Sequence, residues 1–214
     1  SDIIIKSPGI SNDIEILKKL EQSSIQIVSE IEFAGMISNV NNICITGTNG
    51  KTTTVSLITK ILSEELNVLK SGNIGIPFSQ IVFEHKLYED NDIDYCILEL
   101  SSFQLEHCSH LKKEVSAFIN ISTDHMDRYD NFDDYFNTKL KVFENSKYCF
   151  FNNDDKILRE RIIKSKSNKE SFSTKKDIGN FFFKENKILT NDLSLSLNVD
   201  EISIKGIHNI SNII

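Results

Sequence analysis

Ile43-Cys44-Ile45-Thr46-Gly47-Thr48-Asn49-Gly50-Lys51-Thr52-Thr53 is the stretch that decides the fold. Its apolar start reads as a buried strand over 42–46. The glycine-punctuated middle reads as a tight turn, and Lys51 opens a long amphipathic helix predicted over 51–66. Glycine at 47 and 50 lets the backbone turn so that its N–H groups face inward. Those groups and the helix N-terminus together bind phosphate oxygens. Lys51 adds a mobile positive charge, and the Thr52 hydroxyl falls where a Mg²⁺ ligand belongs. The spacing is the short GxxGKT form rather than GxxxxGK[ST]. An ordinary glycine turn is the competing reading, but the strand–turn–helix setting favours phosphate binding. Gly47, Thr48, Asn49, Gly50, Lys51, Thr52 and Thr53 are therefore the candidate nucleotide-binding residues.

Outward from this loop, strand-like and helix-like segments alternate. Short strands are predicted at 3–5 and 25–28, buried ones at 94–100 and 117–121, and a further strand at 147–151. Helices are predicted at 13–22, 29–37 (with Ser29 as N-cap), 132–143 and 155–163. The alternation predicts an α/β fold with a central, mostly parallel sheet flanked by helices. Nearer the C-terminal end the pattern changes. Phe181–Lys184 and Lys187–Thr190, separated by Glu185-Asn186, read as a hairpin, and Leu193–Leu197 alternates Leu and Ser with period two. A small antiparallel β region is expected there. The chain opens in a strand and stops at the onset of a helical pattern after Gly206, so the sequence reads as a fragment.

Three more runs carry chemistry. Tyr95-Cys96-Ile97-Leu98-Glu99-Leu100-Ser101-Ser102 places an acid at the carboxyl end of a buried strand, on the sheet edge that carries the loop. A carboxylate there can hold Mg²⁺. Asn120-Ile121-Ser122-Thr123-Asp124-His125-Met126-Asp127-Arg128-Tyr129 follows another strand, and a polar cluster there can bind a cation or phosphate. By itself it reads better as a turn with an Asp cap. Lys139 shares a helix face with Tyr135, Val142 and Phe143, a position where lysine usually snorkels.

The chain has 214 residues, enough for one large domain or one domain and part of another, and 39 % are hydrophobic. A net charge of −7, with no dense Lys/Arg block, argues against a nucleic-acid partner. No apolar run reaches the ~20 residues of a membrane span, and no signal peptide opens the chain, so a cytoplasmic location is expected. Cys44, Cys96, Cys108 and Cys149 lack CxxC spacing and read as buried free thiols. His107 and His110 would share a face if their segment were helical, but a bare HxxH is a weak metal signal.

Together these segments resemble the Mur ligases. GTNGKT is shared broadly with related amide ligases. The discriminating runs are Glu99-Leu-Ser-Ser-Phe-Gln-Leu-Glu106, Asp124-His-Met-Asp-Arg-Tyr129 and Lys139-Leu-Lys-Val-Phe-Glu144, which look like the D-glutamate-adding branch. Ser7-Pro8-Gly9-Ile10 and Gly72-Asn73-Ile74-Gly75 also fit it, while Ser122-Thr123 departs from the Thr-Glu often found before Asp-His. The resemblance implies that residues 1–30 end an N-terminal UDP-substrate domain and that 31–214 are most of a central ATP-binding domain. A C-terminal domain would be absent. It implies an ATP-dependent ligase, monomeric and membrane-free, that joins D-glutamate to UDP-N-acetylmuramoyl-L-alanine through an acyl phosphate. Catalytic roles would fall to Lys51, His125 and Lys139. Two Mg²⁺ ions would be held by Thr52, Glu99, His125 and Lys139, the last as a carbamate. Ser7, Pro8, Gly9, Asn73 and Ser101 would contact the UDP substrate, and Asn209 and Asn212 would contact adenine. Rival readings are another Mur or folylpolyglutamate-type ligase, or a nucleotide-binding fragment without ligase activity.

Overall fold

A computed structural model of the chain describes residues 3–21, 23–163, 169–174, 179–185, 187–190 and 196–198. In chain order the elements are β1 (Ile3–Lys6), α1 (Glu15–Glu21), β2 (Gln26–Ser29), α2 (Glu30–Ile37), β3 (Asn41–Thr46), α3 (Lys51–Leu62), β4 (Val68–Gly72), α4 (Phe78–Glu84), β5 (Tyr95–Glu99), α5 (Ser102–Leu105), β6 (Lys113–Phe118), α6 (Phe132–Leu140), a 3₁₀ turn (Lys141–Phe143), β7 (Ser146–Asn152), α7 (Lys156–Ile162), β8 (Glu170–Ser173), β9 (Phe181–Lys184), β10 (Lys187–Thr190) and β11 (Ser196–Asn198).

β1 and β2 pair parallel in a sheet of their own. The other nine strands form one sheet in the order β11-β10-β9-β8-β7-β6-β3-β5-β4. It is parallel from β4 to β9 and antiparallel across β9–β10 and β10–β11. The expected hairpin is present, with Glu185 at φ 51° in its turn. Of the Leu/Ser segment, Ser196–Asn198 forms β11; residues 193–195 lie outside the described ones.

β3 is central because both its faces are covered. Ile43 and Ile45 pack with Val55 of α3, Ile97, Ile119 and Phe172. Cys44 points the other way, into a cluster with Ile31, Phe78, Leu98, Phe118 and Tyr135. Burial on both faces explains a continuous apolar run where a half-exposed strand would alternate. Each fully buried Leu or Ile here contributes about 1.5–3 kcal/mol.

Most boundaries lie within a residue or two of the sequence expectation, and those of α3, α6 and β6 depart further. α3 stops at Leu62, four residues early, with Ser63 as its C-cap. Glu64 and Glu65 would have put negative charge on the negative end of the helix dipole. α6 gives way to the 3₁₀ turn after Leu140. β6 begins at Lys113 rather than Ala117, because Lys113 is buried with its ammonium on the Leu111 and Glu144 carbonyls. Its far end stops at Phe118, beyond which Ile119–Ile121 turn toward the loop and α7: the Ile121 amide donates to Asp155.

Candidate functional site

β3, β5 and β6 run parallel, so their carboxyl ends share one edge of the sheet. On that edge Thr46 leads into the glycine turn. Gly50, at φ 80°, caps α3 in the left-handed region. Gly47 lies so close to the residues following β6 that a Cβ would meet Ile119 Cγ1 at 2.6 Å. The first intrahelical bond runs from the Thr54 amide to Gly50 O. The amides of residues 50–53 therefore precede the helical ladder and are the ones set to meet an anion.

The Thr48 and Asn49 amides are used differently from the sequence expectation. Both donate to Asn120 Oδ1, at 3.1 and 2.9 Å, and Asn120 Nδ2 returns a bond to Asn49 O at 2.8 Å. Thr48 Oγ1 meets Tyr135 Oη at 3.2 Å. Asn120 and Tyr135 hold the first half of the loop, leaving the second half for phosphate. Sequence reasoning missed both. Asn120 was inside the quoted run, but nothing local marked its amide as a clamp on a segment 71 residues away.

Lys51 folds back so that Nζ donates to Gly47 O at 3.1 Å and Thr48 O at 3.0 Å. Burial lowers its pKa, an effect partly offset by the charges of Glu99 and Asp124. Thr52 Oγ1 donates to Glu99 Oε2 at 2.8 Å. Glu99 is buried at the tip of β5, and its other oxygen accepts from Asn73 Nδ2 at 3.1 Å. Hydroxyl and carboxylate oxygens side by side are the hard donors Mg²⁺ selects, which leaves further positions to water and phosphate. Among the described residues, no three His, Cys, Asp or Glu side chains stand close enough to hold a metal ion unaided.

Lys139 is not a snorkelling lysine. It is 2 % exposed, and Nζ donates to Gly47 O at 2.8 Å, against the same loop as Lys51. Burial, with the nearby Lys51 charge, pulls its pKa from 10.5 down to about 7, against the opposing pull of Asp124 and Glu99. Near neutral pH a large share of it is therefore free amine. Between pH 7 and 10 the unfolded chain holds this proton and the folded chain does not, so stability should rise with pH across that window. Below pH 7 both states are protonated and the full burial cost is present. Lys139→Met should therefore gain stability relative to wild type at pH 6, by an amount that shrinks on the order of a few kcal/mol toward pH 10. Urea midpoints at several pH values check this; a difference independent of pH would contradict it.

His125 sits at φ 54° in the loop after β6, its Nε2 3.5 Å from Asp124 Oδ2 and its ring centroid 4.7 Å from that of Phe103. Its neighbour Asp124 carries a charge that acts on both Lys51 and Lys139. Ser101 caps α5 in a reciprocal box with Gln104. Ser7–Ile10 form a turn, Ile10 N to Ser7 O at 3.1 Å, and Arg128 Nη2 donates to Ile10 O. Pro8 and Gly9 lie within it. Asn209 and Asn212 lie outside the described residues. His107 and His110 do not share a helix face, since α5 ends at Leu105. His107 Nε2 meets Asn12 Oδ1 at 3.0 Å, and His110 Nδ1 meets Glu32 at 2.9 Å, so the two rings serve different elements.

The Mur ligase middle domain model matches residues 45–214. A UDP-N-acetylmuramoylalanine--D-glutamate ligase of Bacteroides fragilis is 37 % identical over 221 residues, covering 99 % of this chain and 48 % of that one. The protein of the same name from Buchnera aphidicola is 39 % identical over 226 residues, covering 100 % and 48 %. The chain thus spans about half the length of these relatives. Among solved structures, MurF from Acinetobacter baumannii superposes with a TM-score of 0.63 at 17 % identity, over 89 % of this chain and 47 % of that one. A pseudomurein peptide ligase type C from Methanothermus fervidus gives 0.58 at 17 %, over 99 % and 52 %. At such identities the likeness speaks for the fold.

Proposed function

Because this chain belongs to the Mur ligase family, we propose that it is the ATP-handling part of a ligase joining D-glutamate to UDP-N-acetylmuramoyl-L-alanine in peptidoglycan precursor synthesis. The identity to proteins of that name along nearly its whole length carries the reading. In domain terms, residues 1–30 close a UDP-substrate domain and 31–214 belong to the ATP-binding domain. The protein works as a cytoplasmic monomer.

A carboxylate acylates poorly until it carries a leaving group, so the γ-phosphate of ATP first converts it to an acyl phosphate, which the amine of D-glutamate then attacks. The first step brings two anions together, and the site must offset charge moving onto phosphate oxygens. The amides of residues 50–53 receive the phosphates, and Lys51 leaves its two loop carbonyls to follow them. Thr52 and Glu99, whose hydroxyl and carboxylate oxygens lie side by side, would hold one Mg²⁺, and His125 with Lys139 would support a second. Bound there, the metal would supply Lewis-acid neutralisation of the phosphate and carboxylate charge. Lys139, as free amine, adds CO₂ and releases a proton, becoming an anionic carbamate. Its burial and lowered pKa support this assignment. Asn73, Ser101 and the Ser7–Gly9 turn contact the UDP substrate, and Asn209 and Asn212 contact adenine.

The full-length protein should release phosphate from ATP only when UDP-N-acetylmuramoyl-L-alanine and D-glutamate are both present, with L-glutamate inert. Turnover with a different muramoyl peptide or a folate would move the assignment to a related ligase. ATP hydrolysis indifferent to any muramoyl substrate would refute it.

A further inference from the structure

Glu106 closes the run Glu99–Glu106 and has no part in the chemistry above, yet it is a densely bonded side chain. Its carboxylate is 7 % exposed. Oε2 accepts from Lys6 Nζ at 3.1 Å, Asn12 Nδ2 at 3.1 Å and Arg128 Nη2 at 3.0 Å. Oε1 accepts from Tyr129 Oη at 3.0 Å, and the main-chain oxygen accepts from Lys141 Nζ at 2.8 Å. Lys6 and Asn12 flank the Ser7–Ile10 turn. Arg128 and Tyr129 end the loop that carries His125, and Lys141 follows the helix of Lys139. Glu106 therefore ties together three segments distant from it in sequence, two through its carboxylate and one through its main-chain oxygen.

The geometry points to Glu106 as a positioning residue that locks the Ser7–Ile10 turn to the His125 loop, so that seating of the UDP substrate and placement of His125 are set together. The path runs through Arg128. Held by Glu106 on one side, its guanidinium also donates to Ile10 O and lies 4.0 Å from the Phe103 ring centroid. Phe103 in turn packs on His125. Both bonds leave from the one Nη2, so arginine suits this role through its reach and through the flat face that stacks on the ring. Burial raises the Glu106 pKa, but the bonds and charges of Arg128 and Lys6 outweigh it and hold the group below the usual carboxylate range. Without that negative charge two enclosed cations, Lys6 and Arg128, would face each other unbalanced.

The inference rests on the ligase reading for its kinetic test but has a second readout that does not. In full-length Glu106→Gln, KM for UDP-N-acetylmuramoyl-L-alanine should rise about tenfold or more and kcat fall about tenfold, with ATP affinity within about twofold of wild type. In the NMR spectrum, the His125 ring signal should lose the shift imposed by Phe103. The double variant Lys6→Met/Glu106→Gln, which removes one of the two facing cations, should recover melting temperature but neither KM nor the His125 signal. Should Glu106→Gln fail to fold, Arg128→Lys keeps the charge but cannot reach both Glu106 and Ile10 O, and should give the same two changes. Wild-type KM and an unmoved His125 signal in a folded variant would overturn the proposal. So would kinetic constants that recover in step with melting temperature. If wild type itself shows no turnover with the muramoyl substrate, the ligase reading fails, and the His125 signal still decides the hub.

Discussion

Lys139→Ala in the full-length protein is expected to lower turnover by about 10²- to 10³-fold, the range seen when one preorganised electrostatic group is lost from an active site. Two features of the buried lysine lead to this. It bonds the carbonyl of Gly47 inside the phosphate loop, and burial leaves a large share of its amine neutral near pH 7. Whether the group works as an amine or as its carbamate is separable. High bicarbonate should not restore the alanine variant, because no amine remains to react. A short carboxylic acid that fits the space should restore part of the activity if the carbamate is the working form. Steady-state phosphate release with and without added acid makes the measurement. Near-wild-type turnover in Lys139→Ala would sink the catalytic role; lost turnover with no response to the acid would sink only the carbamate.

Lys51→Ala should be similarly severe, with a fall in kcat/KM for ATP of about 10³-fold and little change in melting temperature. The contrast follows from the bonds Lys51 makes. They go to two loop carbonyls, Gly47 O and Thr48 O, and Asn120 and Tyr135 hold the loop independently. Its loss should therefore leave the loop folded but without the cation that meets transferred charge. Parallel thermal melts and ATP titrations test this. A large drop in melting temperature would mean that the lysine is structural; unchanged kcat/KM would remove it from phosphoryl transfer.

The central strand, the loop and Glu99 were legible because their signals are local. A buried parallel strand has a continuous apolar run, and a phosphate loop has its glycines at fixed spacing. The Thr52–Glu99 contact followed from putting both at one sheet edge. Lys139 was legible only through the family resemblance: spacing placed it on an apolar face, where the ordinary reading is a snorkelling side chain. The clamp by Asn120 and the hub at Glu106 were not legible at all. Each depends on which distant segments the sheet brings together, and no short-range pattern encodes that. The start of β6 was missed for a related reason. Lys113 looks like a surface residue until two carbonyls from other segments surround it.

The thiols at the centre of the sheet follow from the same burial. Cys44 in β3 and Cys96 in β5 have pKa values pushed up to about 12 by burial. At pH 7 roughly one thiol in 10⁵ of either would be thiolate, the form that attacks an alkylating reagent. Modification of these two cysteines must therefore wait for the strands to part. The rate at which iodoacetamide marks each one becomes a clock for opening of the sheet's middle, set by the free energy of that local excursion rather than by reagent access to the resting fold. A nucleotide that binds the loop at the end of β3 should slow this clock at Cys44, turning an inert thiol into a gauge of occupancy.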